Sequence, residues 1–250
     1  MTTTPAEIIG RSRLDRTPLG VLPEPQRPDD IADGYRLQDD VHAYLTSEGL
    51  GELVGHKIGC TTPVMQAFLD IAHPCAGGIF ASTVRSVDIA MADFVRVGVE
   101  CEIAVRLDSD LRGEVGTREA AAAVGSCMAA VELVDDRYAD FTTLGAPTLI
   151  ADDFFGAGCV LGPEVDGFDP AALRDVTASM SINGERVGAG TGADVLGDPL
   201  NALAWLAGVR QLRAGQIVLL GSVVKTVWLD GPSEVVVSNR QLGDVTARFV

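Results

Sequence analysis

The chain has 250 residues, 47% of them hydrophobic and 22% charged, which fits a folded protein with a sizeable core and excludes a disordered one. Its formal net charge of −16, from 35 acidic and 19 basic residues, argues against nucleic acid as a main partner, because phosphate binding needs clustered Lys and Arg. Five dispersed cysteines without a C-x-x-C pair, an N-terminus without a signal-peptide pattern and no apolar run long enough for a bilayer set the expectation of a soluble cytoplasmic protein with no membrane partner.

Residues 1–28 are polar and broken by Pro18, Pro23, Pro25 and Pro28, which predicts a short helix near Ala6–Leu14 and then extended chain. Asp29 or Asp30 caps a helix over Ile31–Glu48, with Ile31, Tyr35, Gln38, Val41, His42 and Leu45 in one stripe. Leu53–Gly59 (LVGHKIG) predicts a short strand carrying Lys57, and Thr62-Pro63 opens a short helix to about Leu69. His73–Gly78 (HPCAGG) reads as a glycine loop, followed by short strands at Ile79–Phe80 and Val84–Val87.

The longest strand signal is Phe94–Leu107 (FVRVGVECEIAVRL), which alternates throughout. The alternation puts Cys101 on the apolar face and Glu100 and Glu102 together on the other, with Cα atoms roughly 7 Å apart. A helix over Arg118–Ser126 and a buried strand at Met128–Val134 (MAAVELV) follow. Phe155–Leu161 predicts another strand, and Pro170–Asp175 a short helix. Asn183-Gly184 joins Thr177–Ile182 to Glu185–Val187 as a hairpin, before a glycine-rich loop at Gly188–Gly197. A helix over Leu200–Ala207 precedes strands at Gln216–Leu220, Val223–Leu229, Glu234–Ser238 and Val245–Val250. Helices early and strands late point to an α+β chain with a mixed sheet rolled or closed into a barrel. The expected division is an N-terminal helical lobe with the lysine strand, residues 1–80, and a β core, residues 81–250.

Glutamate is mostly exposed, so Glu100 and Glu102 alone fit a solvated strand face. Glu132 changes the balance, because a carboxylate inside MAAVELV needs a partner. Three converging carboxylates suit a hard divalent cation, Mg²⁺ or Mn²⁺, better than zinc, since none of the three histidines has metal-ligand spacing. Lys57 reads either as a strand-edge lysine or as a cation facing the carboxylates or a substrate acid. Arg137, in Asp135-Asp136-Arg137, reads equally as a surface charge or a partner for a substrate carboxylate. The glycine-rich segment lacks the Lys-Ser/Thr of a phosphate loop, and no G-x-S-x-G hydrolase motif occurs.

Six segments carry a family resemblance in one order: HKIGCTTPVMQ (56–66), VECEIAVRLDSDL (99–111), AAVELVDDRY (129–138), IADDFFGAGCVLG (150–162), GADVLGDPLNALAWLA (192–207) and LRAGQIVLLGS (212–222). Over residues 30–250 the chain resembles the 2-keto-4-pentenoate hydratase and 2-oxo-3-hexenedioate decarboxylase group of the fumarylacetoacetate hydrolase superfamily. The resemblance implies a mixed β-roll core, a divalent metal on Glu100, Glu102 and Glu132, Lys57 as the catalytic lysine, and a 2-oxo acid substrate. It further implies substrate-side roles for Arg137, Asp153, Gly190 and Ser222, a homo-oligomer, and association with a pathway aldolase; Lys225, close behind Gly221-Ser222, departs from the family pattern and is a further substrate-side candidate. No other cofactor is expected.

The function expected from this resemblance is a metal-dependent hydratase acting on a 2-hydroxy-2,4-dienoate in aromatic meta-cleavage catabolism. A decarboxylase would use the same metal and lysine but needs a distal cation for a second carboxylate, a role Lys225 would fill if it pointed inward. An acylpyruvate hydrolase ranks lower, because none of His42, His56 and His73 has Glu at the third following position. A non-enzymatic 2-oxo-acid binder ranks lower still, since three clustered carboxylates are costly without a metal.

Overall fold

The computed structural model describes residues 3–250. The chain opens with α1 (Pro5–Asp15) and α2 (Ile31–Leu45), then β1 (Leu53–Gly59), α3 (Pro63–Leu69), β2 (Cys75–Phe80), β3 (Asp88–Ile89) and β4 (Val97–Leu107). Next come α4 (Thr117–Ala122), β5 (Val124–Asp135), α5 (Gly145–Ala151), β6 (Gly156–Leu161) and β7 (Val165–Asp166). The hairpin β8 (Thr177–Ile182) and β9 (Glu185–Thr191) leads to α6 (Pro199–Val209), β10 (Ile217–Trp228), β11 (Ser233–Asn239) and β12 (Gly243–Phe249). Among the described residues no helix is long and apolar enough to cross a membrane.

Both long N-terminal helices start where the sequence supplies a cap. Thr4 accepts from the Glu7 amide while Glu7 Oε2 accepts from the Thr4 amide, a reciprocal capping box ahead of Pro5. Asp30 accepts from the Asp33 amide at the start of α2. The two helices and α5 share a core of Ile9, Leu37, Val41, Leu45, Phe80, Leu149 and Ile150.

One sheet runs β2-β1-β10-β4-β5-β6, with β7 also on β5, and is antiparallel except for the β1–β10 pair. The other runs β3-β12-β11-β8-β9. The first sheet curls until β2 and β6 lie near each other, and the inside of the curl holds Ile79, Ala104, Met128, Ala130, Cys159, Ile217 and Leu219. No ladder joins β2 to β6 among the described residues, so the roll is not a closed barrel. The opposite face of β4, with Val97, Val99, Cys101, Ile103 and Val105, packs against the second sheet and α6. The alternation in the sequence therefore places Cys101 in the apolar core and Glu100 and Glu102 toward the inside of the curl.

Several elements differ from the sequence expectation for identifiable reasons. His73–Gly78 is not a loop: Cys75–Phe80 is strand β2. Its glycines serve space rather than turning, since a Cβ at Gly77 would stand 3.1 Å from Lys57 Cε and one at Gly78 2.7 Å from the His42 ring. The glycine-rich stretch after Asn183-Gly184 likewise continues as β9 to Thr191, where Gly188 and Gly190 let the strand lie directly on Val224 and the Val223 carbonyl of β10. The two strands expected at 216–229 are one strand, β10, interrupted by register shifts around Ser222 and Val224. The helix expected to reach Ser126 ends at Ala122, and the β-branched Val124 already begins β5. Within Val84–Val87 only Val84 makes a bridge, to Cys159.

Candidate active site

Glu100 and Glu102 stand on the inner face of β4, and Glu132 lies directly opposite Glu100 in the β4–β5 ladder. One carboxylate oxygen from each of the three lies within 4.8 Å of the others. Glu102 and Glu132 are buried; Glu100 alone reaches solvent with part of its surface, although protein atoms ring it as densely. Burial, reinforced by Glu132, pushes the Glu100 carboxyl up to about 7, with Lys57 and the Thr226 hydroxyl pulling the other way. Burial and the two neighbouring carboxylates push Glu102 well above the usual range.

The bulged strand β10 closes the third side. Gly221, at φ 130, is turned out of the ladder so that its N–H donates to Glu102 Oε2 at 2.8 Å. Ser222 braces this bulge with its hydroxyl, which donates toward Val224 O at 2.6 Å and Cys101 O at 3.1 Å. The Thr226 hydroxyl donates to Glu100 Oε1. Glu102 Oε1 and Glu132 Oε1 are buried and accept no aligned hydrogen bond. Buried carboxylate oxygens are seldom left in that state. An all-oxygen set in which Glu102 Oε1 is left without a partner fits a hard divalent cation, which would reverse the upward push on Glu100 and Glu102.

Lys57 approaches from β1. Its Nζ lies 3.2 Å from Glu132 Oε1 as an ion pair and donates to the Phe154 carbonyl at 2.8 Å, with the Phe154 ring centre 5.8 Å away. Burial acts most strongly on this ammonium and against its charge, but Glu132 and Glu100 outweigh it and hold it above its ordinary range. Its stem fits a narrow slot, since a Cβ at Gly77 or Gly156 would come within 3.1 or 3.2 Å of Lys57 Cε. Lys57 is the cation that acts on both Glu100 and Glu102.

The other expected site residues take various places. Arg137 is buried, donating from Nε to Asp152 Oδ2 at 2.8 Å and from Nη2 to the Asp152 carbonyl at 2.7 Å, so it braces the segment ahead of Phe154. Asp153 is fully buried; its Oδ2 takes Arg13 Nη1 at 2.7 Å, and its Oδ1 takes His42 Nε2 at 2.7 Å and the Gly78 amide at 2.8 Å. Burial opposes the Asp153 charge, but His42 and Arg13 outweigh it and hold the carboxyl well below the usual range. Gly190 is a close-approach point against Val223 O, and Ser222 is spent on the bulge. Lys225 is exposed, so the inward cation a second carboxylate would need is not supplied there.

Sequence reasoning missed four contributors: Thr226, the Gly221 amide, Arg13 and His42. The Gly221-Ser222 pair inside an apolar strand was the available signal for the bulge. Nothing local marks Arg13, which meets Asp153 from 140 residues away.

A family model described as fumarylacetoacetate (FAA) hydrolase C-terminal matches residues 74–250. The chain is similar to a 2-keto-4-pentenoate hydratase of Paraburkholderia phymatum, at 34% identity over 96% of this chain and 94% of the relative. It is also similar to a 4-oxalocrotonate decarboxylase of Pseudomonas putida, at 28% identity over 88% of this chain and 86% of the relative. Among solved structures it is similar to 4-oxalocrotonate decarboxylase from Pseudomonas putida G7 complexed with magnesium and adipate, with a TM-score of 0.90, 26% identity, and 98% and 96% of the two chains covered.

Proposed function

The chain belongs to the fumarylacetoacetate hydrolase family, and from that premise we propose that it is a divalent-metal-dependent hydratase of a 2-hydroxy-2,4-dienoate, with Mg²⁺ or Mn²⁺ as the ion. The observation that carries the reading is the three-glutamate set, in which Glu102 Oε1 is buried without a hydrogen bond and Glu132 Oε1 is met by the buried Lys57 ammonium. Glu100, Glu102 and Glu132 would hold the ion, which would supply Lewis-acid stabilisation of the negative charge that develops on the substrate's oxygens. The Gly221 amide and the Thr226 hydroxyl fix two of the three carboxylates against rotation. Lys57 Nζ, aimed by the Phe154 carbonyl, carries the proton exchanged with the substrate as the dienol becomes a conjugated ketone ready for water. The aromatic ring of Phe154 helps keep bulk water off that ammonium.

The far end of the substrate separates hydratase from decarboxylase. Besides Lys57, the nearby cations are engaged: Arg13 by Asp153, and Arg137 by Asp152. Lys225 is exposed, and the side chains crowding Gly221 are Thr61 and Val195. None of Arg13, Arg137 and Lys225 is placed to serve a distal carboxylate, which favours a substrate with a neutral end. Purified protein with Mg²⁺ is expected to consume 2-hydroxypenta-2,4-dienoate, followed by loss of its ultraviolet absorbance, and to release no CO₂ from 2-oxo-3-hexenedioate. Rapid CO₂ release from the dioate without turnover of the monoacid would replace the hydratase reading with the decarboxylase one.

A further inference from the structure

Asp153, Phe154 and Phe155 are consecutive non-glycine residues in the left-handed region, with φ of 56, 47 and 64. Non-glycine side chains crowd the backbone in this region, so a run of three persists only where its surroundings hold it. The run also does something specific: it presents the Phe154 carbonyl to Lys57 Nζ.

One side chain grips both ends of the run. Arg13 Nη1 donates to the Asp153 carboxylate at 2.7 Å, and Arg13 Nη2 donates to the Gly156 carbonyl at 3.0 Å. The remaining Asp153 oxygen takes His42 Nε2 and the Gly78 amide, so α1, α2 and β2 all converge on one carboxylate. With Asp153 an ionised acceptor, His42 Nε2 carries the hydrogen. Tyr138 adds a weaker tie, its hydroxyl accepting from the Phe155 amide at 3.2 Å. The hydrogen bonds of Arg13 and His42 described above go to Asp153 and Gly156.

We propose that Arg13, seconded by His42, is a positioning residue for catalysis: by clamping Asp153 and Gly156 it keeps residues 153–155 left-handed and the Phe154 carbonyl on Lys57. Without the clamp the carbonyl turns away and Lys57 keeps only Glu132, which draws the ammonium onto a carboxylate of the metal set. The metal ligands stand on β4 and β5 and stay where they are. The N-terminal helices thus contribute to catalysis without touching substrate.

The kinetic part of this inference rests on the hydratase reading; the structural part does not. The test compares Arg13→Met and Arg13→Lys with wild type on 2-hydroxypenta-2,4-dienoate with Mg²⁺, together with amide hydrogen exchange of the same proteins. Arg13→Met is expected to lower kcat about 10- to 100-fold while KM and the Mg²⁺ midpoint stay within about twofold. Arg13→Lys, which restores the charge on Asp153 but not the second arm to Gly156, is expected to fall between the two. Exchange protection should drop at residues 153–156 in Arg13→Met and be retained in β4 and β5. Wild-type kcat in Arg13→Met, or unchanged protection at 153–156, overturns the proposal. So does an equal loss of KM and Mg²⁺ affinity, which would mark a general structural role. If Arg13→Met does not fold, Arg13→Lys carries the test: a several-fold kcat loss at constant KM supports the clamp, and wild-type kcat overturns it. A wild type inactive on the dienoate would remove the hydratase reading and leave the exchange result to decide the clamp.

Discussion

Replacing Lys57 by Met is expected to lower kcat by about a thousandfold while leaving divalent-metal binding intact or slightly tighter. Met is close in length and unbranched, so it fills the slot between Gly77 and Gly156 without new crowding. The glutamate cluster keeps its three carboxylates, its Gly221 amide and its Thr226 hydroxyl. Removing a cation 3.2 Å from Glu132 removes repulsion against an incoming divalent ion, so affinity should not fall. Arginine is not a conservative substitute here, because its planar head does not fit a slot sized for a methylene stem. Steady-state kinetics with calorimetric Mg²⁺ titration of the same preparation reads both quantities. Wild-type kcat in the Met variant would remove Lys57 from the chemistry, and loss of metal binding would make it a structural prop.

The second large effect is on metal-linked stability. Glu102→Gln keeps an oxygen for the Gly221 amide but removes a charge from the set. Burial and the neighbouring carboxylates disfavour that charge when no cation is present. The metal-free variant should therefore melt at or above metal-free wild type. With Mg²⁺ at about 100 times its Kd, wild type should gain about 2.7 kcal/mol, which for a chain of this size is a rise of roughly 5–10 °C in Tm. The variant should lose most of that rise, and its activity with it. Thermal melts with and without Mg²⁺ check this crossing pattern. A Glu102→Gln protein stabilised by Mg²⁺ as strongly as wild type would contradict the assignment of Glu102 as a ligand.

The three-glutamate cluster was legible in the sequence through Glu132, since Glu100 and Glu102 alone fit a solvated strand face. Glu100 and Glu102 share a face in a strand whose other face is wholly apolar, and Glu132 interrupts a buried run. A carboxylate that disturbs a hydrophobic pattern shows in one dimension. Lys57 was legible chiefly through the family resemblance, since a lysine near a strand edge is ordinary by itself.

The supporting shell was not legible, for two physical reasons. Glycine has two uses, turning and making room, and composition does not tell them apart. Gly77 and Gly78 read as part of a loop, whereas they make room for Lys57, Asp153 and His42 inside a strand. The clamp of Arg13 and His42 on Asp153 joins residues more than a hundred positions apart, and no periodicity records such a meeting. The bulge at Gly221 belongs to the same class: the sequence divided β10 in two where the structure bends one strand to aim an amide at Glu102.

The central claim is that Glu100, Glu102 and Glu132 form the divalent-metal site beside Lys57. It is tested most directly by anomalous diffraction from a crystal of the protein soaked in Mn²⁺. The account predicts one strong anomalous peak in contact with all three carboxylates and on the solvent-reaching side of Glu100. Manganese bound elsewhere, with Glu102 and Glu132 left unligated, would contradict it.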